Sequence, residues 1–407
     1  MHSSVNNRKC TLKPLIVVGL CLIFAEIGLA QSPQSQCDRD HTDIRGHLIS
    51  SEFIRSASRD DIARSFATLG WTDVVVKTGV SIRRIVYTTI DAHGAHTVAS
   101  GLLALPTDIE PVGVVLFGHG TSTQKSYVPS APTLEGETVA ALFASGGFAL
   151  AAPDYVGMGT SPGPHPYLNA AAEATASLDL LTASRHAARS TNIELPRSLY
   201  MTGFSQGGQT ALALDRAIEG GGNSQWDVAA VAPIAGPYDL AGTEFPGLID
   251  GTSPSSSAYL AYLALSYLQV YRGNISDIFQ TPYNERVTLL FDGQHTLSQI
   301  VQALPAPRNL FREDFLRAVQ AGTSPFVWQL RENDTMLVAP HAPVRLYYGD
   351  ADTDVLPANT QIAASAMRSL GVNVEAVDLG ATADRPASEY LGLPAVRAWF
   401  DQLVAGR

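Results

Sequence analysis

The sequence predicts an α/β protein: a mostly parallel central sheet flanked by helices, with a helical cap inserted late in the chain. Three observations predict it. From about residue 112 to residue 234, apolar strand-like runs alternate with helix-periodic segments. Val112 to Phe117 (VGVVLF) is a continuous apolar run, as a strand of a parallel sheet buried on both faces requires. Gly203-x-Ser205-x-Gly207 stands between a strand-like run, Arg197 to Thr202, and a helix-periodic one, Gln209 to Glu219. That is a strand, a sharp turn and a helix with a serine at the turn.

In chain order, the first 30 residues read as a secretory signal peptide. Arg8, Lys9 and Lys13 form a basic start, Leu15 to Leu29 an apolar run, and Gly28-Leu29-Ala30 a small-residue cleavage site. The mature chain is expected to begin near Gln31 and to keep no stable membrane anchor. Cys10 and Cys21 leave with the signal, so Cys37 remains alone and cannot close an internal disulfide. Gln31 to Asp43 is polar. Ile44 to Leu69 shows helical spacing. Val74 to Ile90 and Ala95 to Leu105 read as an antiparallel strand pair joined near His93-Gly94.

The run of strand–helix units follows: Val112 to Phe117, helical Thr138 to Ala144, strand Phe148 to Pro153, helix Ala170 to Ala188, the serine turn and its helix, then strand Val228 to Ile234. Residues 240–337 break the rhythm. They are helix-periodic and rich in Tyr and Phe, which reads as a helical cap or, equally, as ordinary packing helices. Strand Pro343 to Tyr348, helix Ala358 to Leu370, strand Val372 to Leu379 and helix Pro394 to Val404 complete one domain, residues 31–407, with 240–337 as its insertion.

The chain has 407 residues, 45% of them hydrophobic and 16% charged, with a net charge of −11. That balance is globular and argues against nucleic acid or an anionic membrane surface as partner. No metal-ligand spacing, phosphate loop or dinucleotide fingerprint is present, so no cofactor and no metal is expected. Asn274-Ile275-Ser276 and Asn333-Asp334-Thr335 match the glycosylation pattern.

An acyl-transfer site needs a nucleophile, oxyanion donors, a base and an acid that orients the base. Ser205 is the candidate nucleophile. The backbone N–H of Gln206 is the expected first oxyanion donor, and Gly120 or Thr121, after the strand that ends at Phe117, the second. Behind such a turn the acid and the base follow the serine in that order. Asp350, Asp352 and Asp354 compete for the acid; the spacing Gly349-x-x-Asp352-x-x-Val355 selects Asp352, and the other two are expected to cap the turn. The histidine should lie in Gly380 to Pro386, but no histidine lies beyond His341, and the expected position holds Arg385. A guanidinium is permanently charged and cannot take a proton from serine. Three readings remain open. Another histidine, such as His165 or His295, swings in; or the scaffold binds without turning over; or the codon at 385 is mutated or misread. His119 precedes the serine and is expected to brace the oxyanion loop.

The stretches Ser100 to Pro106, Gly118-His119-Gly120-Thr121, Pro153 to Gly159 with His165-Pro166-Tyr167-Leu168, Gly203 to Gly208, Gly236-Pro237-Tyr238 and Gly349 to Pro357 span nearly all of the mature chain. In this order they resemble the α/β-hydrolase superfamily, and more narrowly the bacterial secreted lipase- and esterase-like hydrolases related to the secretory, LIP-type lipases. The resemblance implies an exported serine hydrolase acting on carboxylic esters; the aromatic-rich insertion suggests a small-molecule ester with a lipid-like or other apolar acyl group as partner. The resemblance also implies a structural role for His165. Relatives carry Asp-His where this chain has Asp384-Arg385, so the resemblance carries over to Ser205 and Asp352 and fails at the base. Its alternatives are a non-catalytic or weakly active binding protein on the same scaffold and, less directly, a peptidase.

Overall fold

The computed structural model describes residues 44–222 and 225–406. The signal peptide, its cleavage site and Cys37 lie outside the described residues.

Nine strands form one sheet in the order β1-β2-β3-β5-β4-β6-β7-β8-β9. They are β1 (Leu48–Ala57), β2 (Val80–Ile90), β3 (His96–Pro106), β4 (Val114–Gly118), β5 (Ala149–Pro153), β6 (Ser198–Phe204), β7 (Asp227–Ile234), β8 (Val344–Tyr348) and β9 (Val374–Asp378). The first three and β5 pair antiparallel; β5, β4, β6, β7, β8 and β9 run parallel. From β4 the chain goes to β5 on one side and then returns to β6 on the other. This reversal opens a crevice at the carboxyl ends of β4 and β6, where a ligand site in an open α/β sheet is expected.

The helices outside the insertion are α1 (Arg59–Thr68), α2 (Leu134–Ala144), α3 (Ala170–Arg189), α4 (Gln206–Ala217), and, after it, two more. The period of two along the central strands sends alternate residues to opposite layers. Val114 and Leu116 of β4 join α3 and α4 in one core, while Val115 and Phe117 join α1 and α2 in the other. Phe117 is fully buried; truncating such a side chain to alanine costs about 3–5 kcal/mol.

Between β7 and β8 lie α5 (Phe245–Ile249), α6 (Ser256–Val270), α7 (Tyr283–Leu290), α8 (Leu297–Ala303), α9 (Pro307–Leu310), α10 (Glu313–Gln320) and α11 (Pro325–Glu332). They share a hydrophobic cluster of their own, into which Tyr167 and Leu168 insert from the sheet domain. α12 (Pro357–Ser369) follows β8, and α13 (Arg385–Ala405) follows β9. Asn333 is 2% exposed and its amide donates to Tyr271 and to the Gln329 carbonyl, so it is no glycosylation acceptor here.

Two expectations need correction. Residues 44–69 are not one helical stretch: β1 precedes α1, and Ser58 caps the helix by accepting from the N–H of Asp61. β1 is an edge strand with mostly exposed side chains, so its backbone pairing with β2 leaves no apolar alternation to read. The last helix does not begin at Pro394 but at Arg385, with Pro394 inside it. Asp384 and Pro386, which resemble loop breakers, are an N-cap and a first-turn proline, and both start helices.

Candidate active site

Ser205 sits between the end of β6 and the start of α4 at φ 59° and ψ −122°. Such a backbone costs a non-glycine residue about 1–3 kcal/mol and persists only where the surroundings impose it. Here they do. The Ser205 N–H donates to the Ile234 carbonyl (3.0 Å), and its own carbonyl accepts from Gly208 (2.8 Å). The turn passes against β4 so closely that only glycines fit: a Cβ on Gly207 would lie 1.8 Å from the Gly118 oxygen, and one on Gly203 2.3 Å from the Gly207 oxygen. The serine hydroxyl makes no capping bond, and the residue is 8% exposed.

Asp352 follows β8. Its Oδ1 accepts from the N–H groups of Asp354 (2.9 Å) and Val355 (3.1 Å), and its Oδ2 accepts from Arg385 Nη1 (2.8 Å). The side chains of Asp352 and Arg385 are 1% and 14% exposed. Arg385 Nη1 also donates to the Ala235 carbonyl (3.2 Å), and the guanidinium carbon lies 4.3 Å from the ring centre of Phe204, next to the serine. Burial works against the guanidinium charge, but Asp352, Tyr259 and Asp354 together outweigh it and hold the Arg385 pKa above its ordinary value. Of the three candidate aspartates, Asp352 is the one that meets residue 385. Asp350 is exposed. Asp354 does not cap the turn as expected; it accepts from Ser253 and from the Tyr259 hydroxyl (2.9 Å), tying the insertion to the loop after β8.

The three expected oxyanion donors differ in what they meet. The N–H groups of Gln206, in the first turn of α4, and of Thr121 have no acceptor among the described residues. The Gly120 N–H donates to Glu135 Oε1 (3.3 Å), a partner that the sequence did not suggest. Gly120 itself packs close to the serine: a Cβ there would lie 3.7 Å from Ser205 Cβ.

Among the described residues no imidazole hydrogen-bonds to Ser205. His165 has both nitrogens in use. Its Nδ1–H donates to the Val156 carbonyl (2.8 Å), and Nε2 accepts from the Gln206 side chain (2.7 Å). Burial lowers its pKa to about 4, so the ring stays neutral. His119 places its ring nitrogens 2.7 Å and 3.4 Å from the carbonyls of Gly120 and Asp154 and packs on Tyr155. His295 pairs with Asp292 on the insertion, and His341 with Glu219 on the far side of the domain.

Sequence reasoning missed the buried carboxyl groups that fasten this site. Glu173 of α3 accepts from the Gln206 amide (2.7 Å), Thr210 (2.8 Å) and the Leu168 N–H (3.1 Å), and burial pushes its pKa up to about 8. Asp154 accepts from Ser100, Ser130 and the Ser130 N–H (2.9 Å). Apart from Leu168, their partners are distant in sequence, so no local pattern announces them.

Ser205 and Arg385 face one cavity of about 20 Å³, roofed by Leu248, Tyr259 and Leu263 of the insertion and walled by Tyr167. That volume holds about one water and no acyl chain. Among the described residues no group of His, Cys, Asp and Glu is placed to hold a metal ion, and no helix is long and apolar enough to cross a membrane.

Neither a family model nor a curated protein matches the chain. Solved structures do. A candidate hydrolase from Legionella pneumophila is 27% identical with a TM-score of 0.83, covering 88% of this chain and 98% of its own. The rice cell wall degrading esterase LipA from Xanthomonas oryzae is 27% identical with a TM-score of 0.81, over 89% and 99%. Candida antarctica lipase A is 15% identical with a TM-score of 0.65, over 90% and 83%, and speaks to the fold alone. With a nine-stranded, mostly parallel sheet, a serine at the strand–helix turn and these neighbours, the chain has the α/β-hydrolase fold and resembles the lipases and esterases built on it.

Proposed function

We propose that the protein is an exported serine hydrolase that cleaves small, apolar carboxylic esters through an acyl-enzyme at Ser205. The observation that carries this reading is the Ser205 backbone, held at φ 59° with the uncommitted N–H groups of Gln206 and Thr121 beside it. The likeness to the LipA esterase supports the ester class. Leu248 and Leu263 of the insertion offer an apolar acyl group an apolar surface once the roof moves to admit it.

In this reading Ser205 Oγ bonds to the ester carbonyl carbon while its proton passes to water or hydroxide. The carbonyl oxygen becomes an oxyanion that the N–H groups of Gln206 and Thr121 stabilise, aided by the positive end of α4. The Gly120 N–H joins them once Glu135 releases it. The intermediate expels the alcohol, whose oxygen takes a proton from water, and a second water frees the acid. Asp352 holds Arg385, and the guanidinium offers charge but no proton acceptance. Turnover is therefore slow: a positioned base is worth about 10²–10⁴-fold, and this one is missing.

A second reading, a binding protein on the hydrolase scaffold, is favoured by the Asp352–Arg385 pair itself, which closes the place of the base. Purified protein treated with a fluorophosphonate probe and a short-chain aryl ester separates the two. Labelling and turnover that vanish in Ser205→Ala support the enzyme. Neither in the wild type, with both restored by Arg385→His, establishes the binding protein.

A further inference from the structure

A second cavity, of about 290 Å³, opens between the starts of α2 and α13 and shares no lining residue with the cavity at Ser205. Two carboxyl groups, Glu135 and Glu389, line it together with Trp71, Tyr127 and Tyr390. The cations that come near are committed elsewhere: Arg55 reaches α2 but pairs with Glu137 (2.8 Å), and Arg385 pairs with Asp352. Among the described residues neither Glu135 nor Glu389 stands in an ion pair. Burial first, and then the like charge of Glu389, push the Glu135 carboxyl up to about 8; burial also pushes Glu389 up against the opposing charge of Arg385, so an entering cation would draw both carboxyls toward the ionised form.

The aromatic walls are a separate observation. Trp71 is 7% exposed, yet its indole N–H has no partner among the described residues. Its ring lies 5.7 Å from that of Tyr390, which the hydroxyl bond to the Leu69 carbonyl holds in place. Tyr127 and Tyr390 remain 47% and 42% exposed, large aromatic faces left open to a ligand. Aromatic faces attract cations through the ring quadrupole, and the two carboxyl groups supply counter-charge once a cation favours their ionised form. A calcium ion would want six or more oxygen ligands, which this cleft does not assemble, and an anion would be repelled.

We propose that this cleft binds an organic cation, an alkyl- or quaternary-ammonium group, with Glu135 and Glu389 as counter-charges and Trp71, Tyr127 and Tyr390 as walls. The site is distinct from the serine and does not depend on turnover there. The Glu135–Gly120 bond connects it to the oxyanion loop.

The test titrates the whole protein with choline and with 3,3-dimethylbutan-1-ol, its neutral isostere, at matched ionic strength. Tryptophan fluorescence and the thermal midpoint are read. A saturable response to choline and none to the alcohol is expected, with binding about tenfold weaker in Glu389→Gln. In Trp71→Phe the choline-dependent fluorescence change should fall while the thermal shift persists. An equal response to the alcohol, no saturable response in the wild type, or unaltered binding in Glu389→Gln would overturn the proposal. The wild-type comparison of cation and isostere stands even if a variant fails to fold.

Discussion

Arg385 donates to Asp352 Oδ2 across 2.8 Å, and so the acid expected to orient an imidazole is joined to a permanent cation instead. The remaining Asp352 oxygen accepts from two backbone N–H groups. The turn that carries Asp352 is thus intact, and residue 385 meets it from the first position of α13. The departure from a serine–acid–histidine set is confined to one side chain.

Replacing that side chain is the most direct prediction. Arg385→His should raise aryl-ester kcat/KM by about 10²-fold or more, the usual worth of a positioned base. It should also introduce a rise in rate near pH 6.5 that the wild type lacks, because the new imidazole at the serine titrates there. Rate–pH profiles of both proteins check this; a variant without the step would show that position 385 cannot serve as the base.

The ion pair also bears on stability. Asp352→Asn leaves a mostly buried guanidinium without its counter-charge and should cost about 3 kcal/mol in urea unfolding. The double variant Asp352→Asn/Arg385→Met should recover most of that loss, since it removes the unpaired guanidinium while the Asn oxygen still accepts from the N–H groups of Asp354 and Val355. If the double variant were no better than the single one, packing rather than charge would be what the pair supplies.

Strain at the serine can be measured by removing it. Ser205→Gly should melt above Ser205→Ala, because glycine accepts φ 59° and alanine does not. The difference should be about 1 kcal/mol after the greater unfolded-state freedom of glycine is subtracted. Equal midpoints for the two variants would mean that the elbow is relaxed.

Glu173 makes stability depend on pH. Its folded pKa, pushed up to about 8, exceeds the ordinary carboxyl value, so the native state holds a proton that the unfolded chain releases. Stability is then full below about pH 4.5 and falls as pH rises toward 8. Glu173→Gln cannot lose a proton, and its stability relative to wild type should climb by at least about 1 kcal/mol between pH 5 and pH 8. Parallel unfolding curves at both pH values would contradict the shift.

Several features were legible because they are local. The serine turn needs glycine at 203 and 207, and the structure shows the carbonyl contacts that forbid anything larger. β4 and β6 are buried on both faces, so they read as apolar runs. β1 was not legible, since an edge strand pairs through its backbone and exposes its side chains. The start of α13 was obscured because Asp384 and Pro386 serve helix starts as well as turns. Glu135 and Glu173 carried no signal at all, their partners being set by packing between helices and loops.

By itself the sequence determined the sheet and its helices, the serine at the strand–helix turn, and the absence of a histidine near residue 385. Each depends on side-chain periodicity or on a few adjacent residues. Only the tertiary structure decided that Asp352, which the spacing selects, is tied directly to Arg385. It also decided that His165 spends both nitrogens on Val156 and Gln206, and that Glu135 takes the Gly120 N–H. Those are single hydrogen bonds a few ångströms long, made mostly between segments far apart in the chain. Residue order sets which groups are available; the packing of helices on the sheet sets which of them touch.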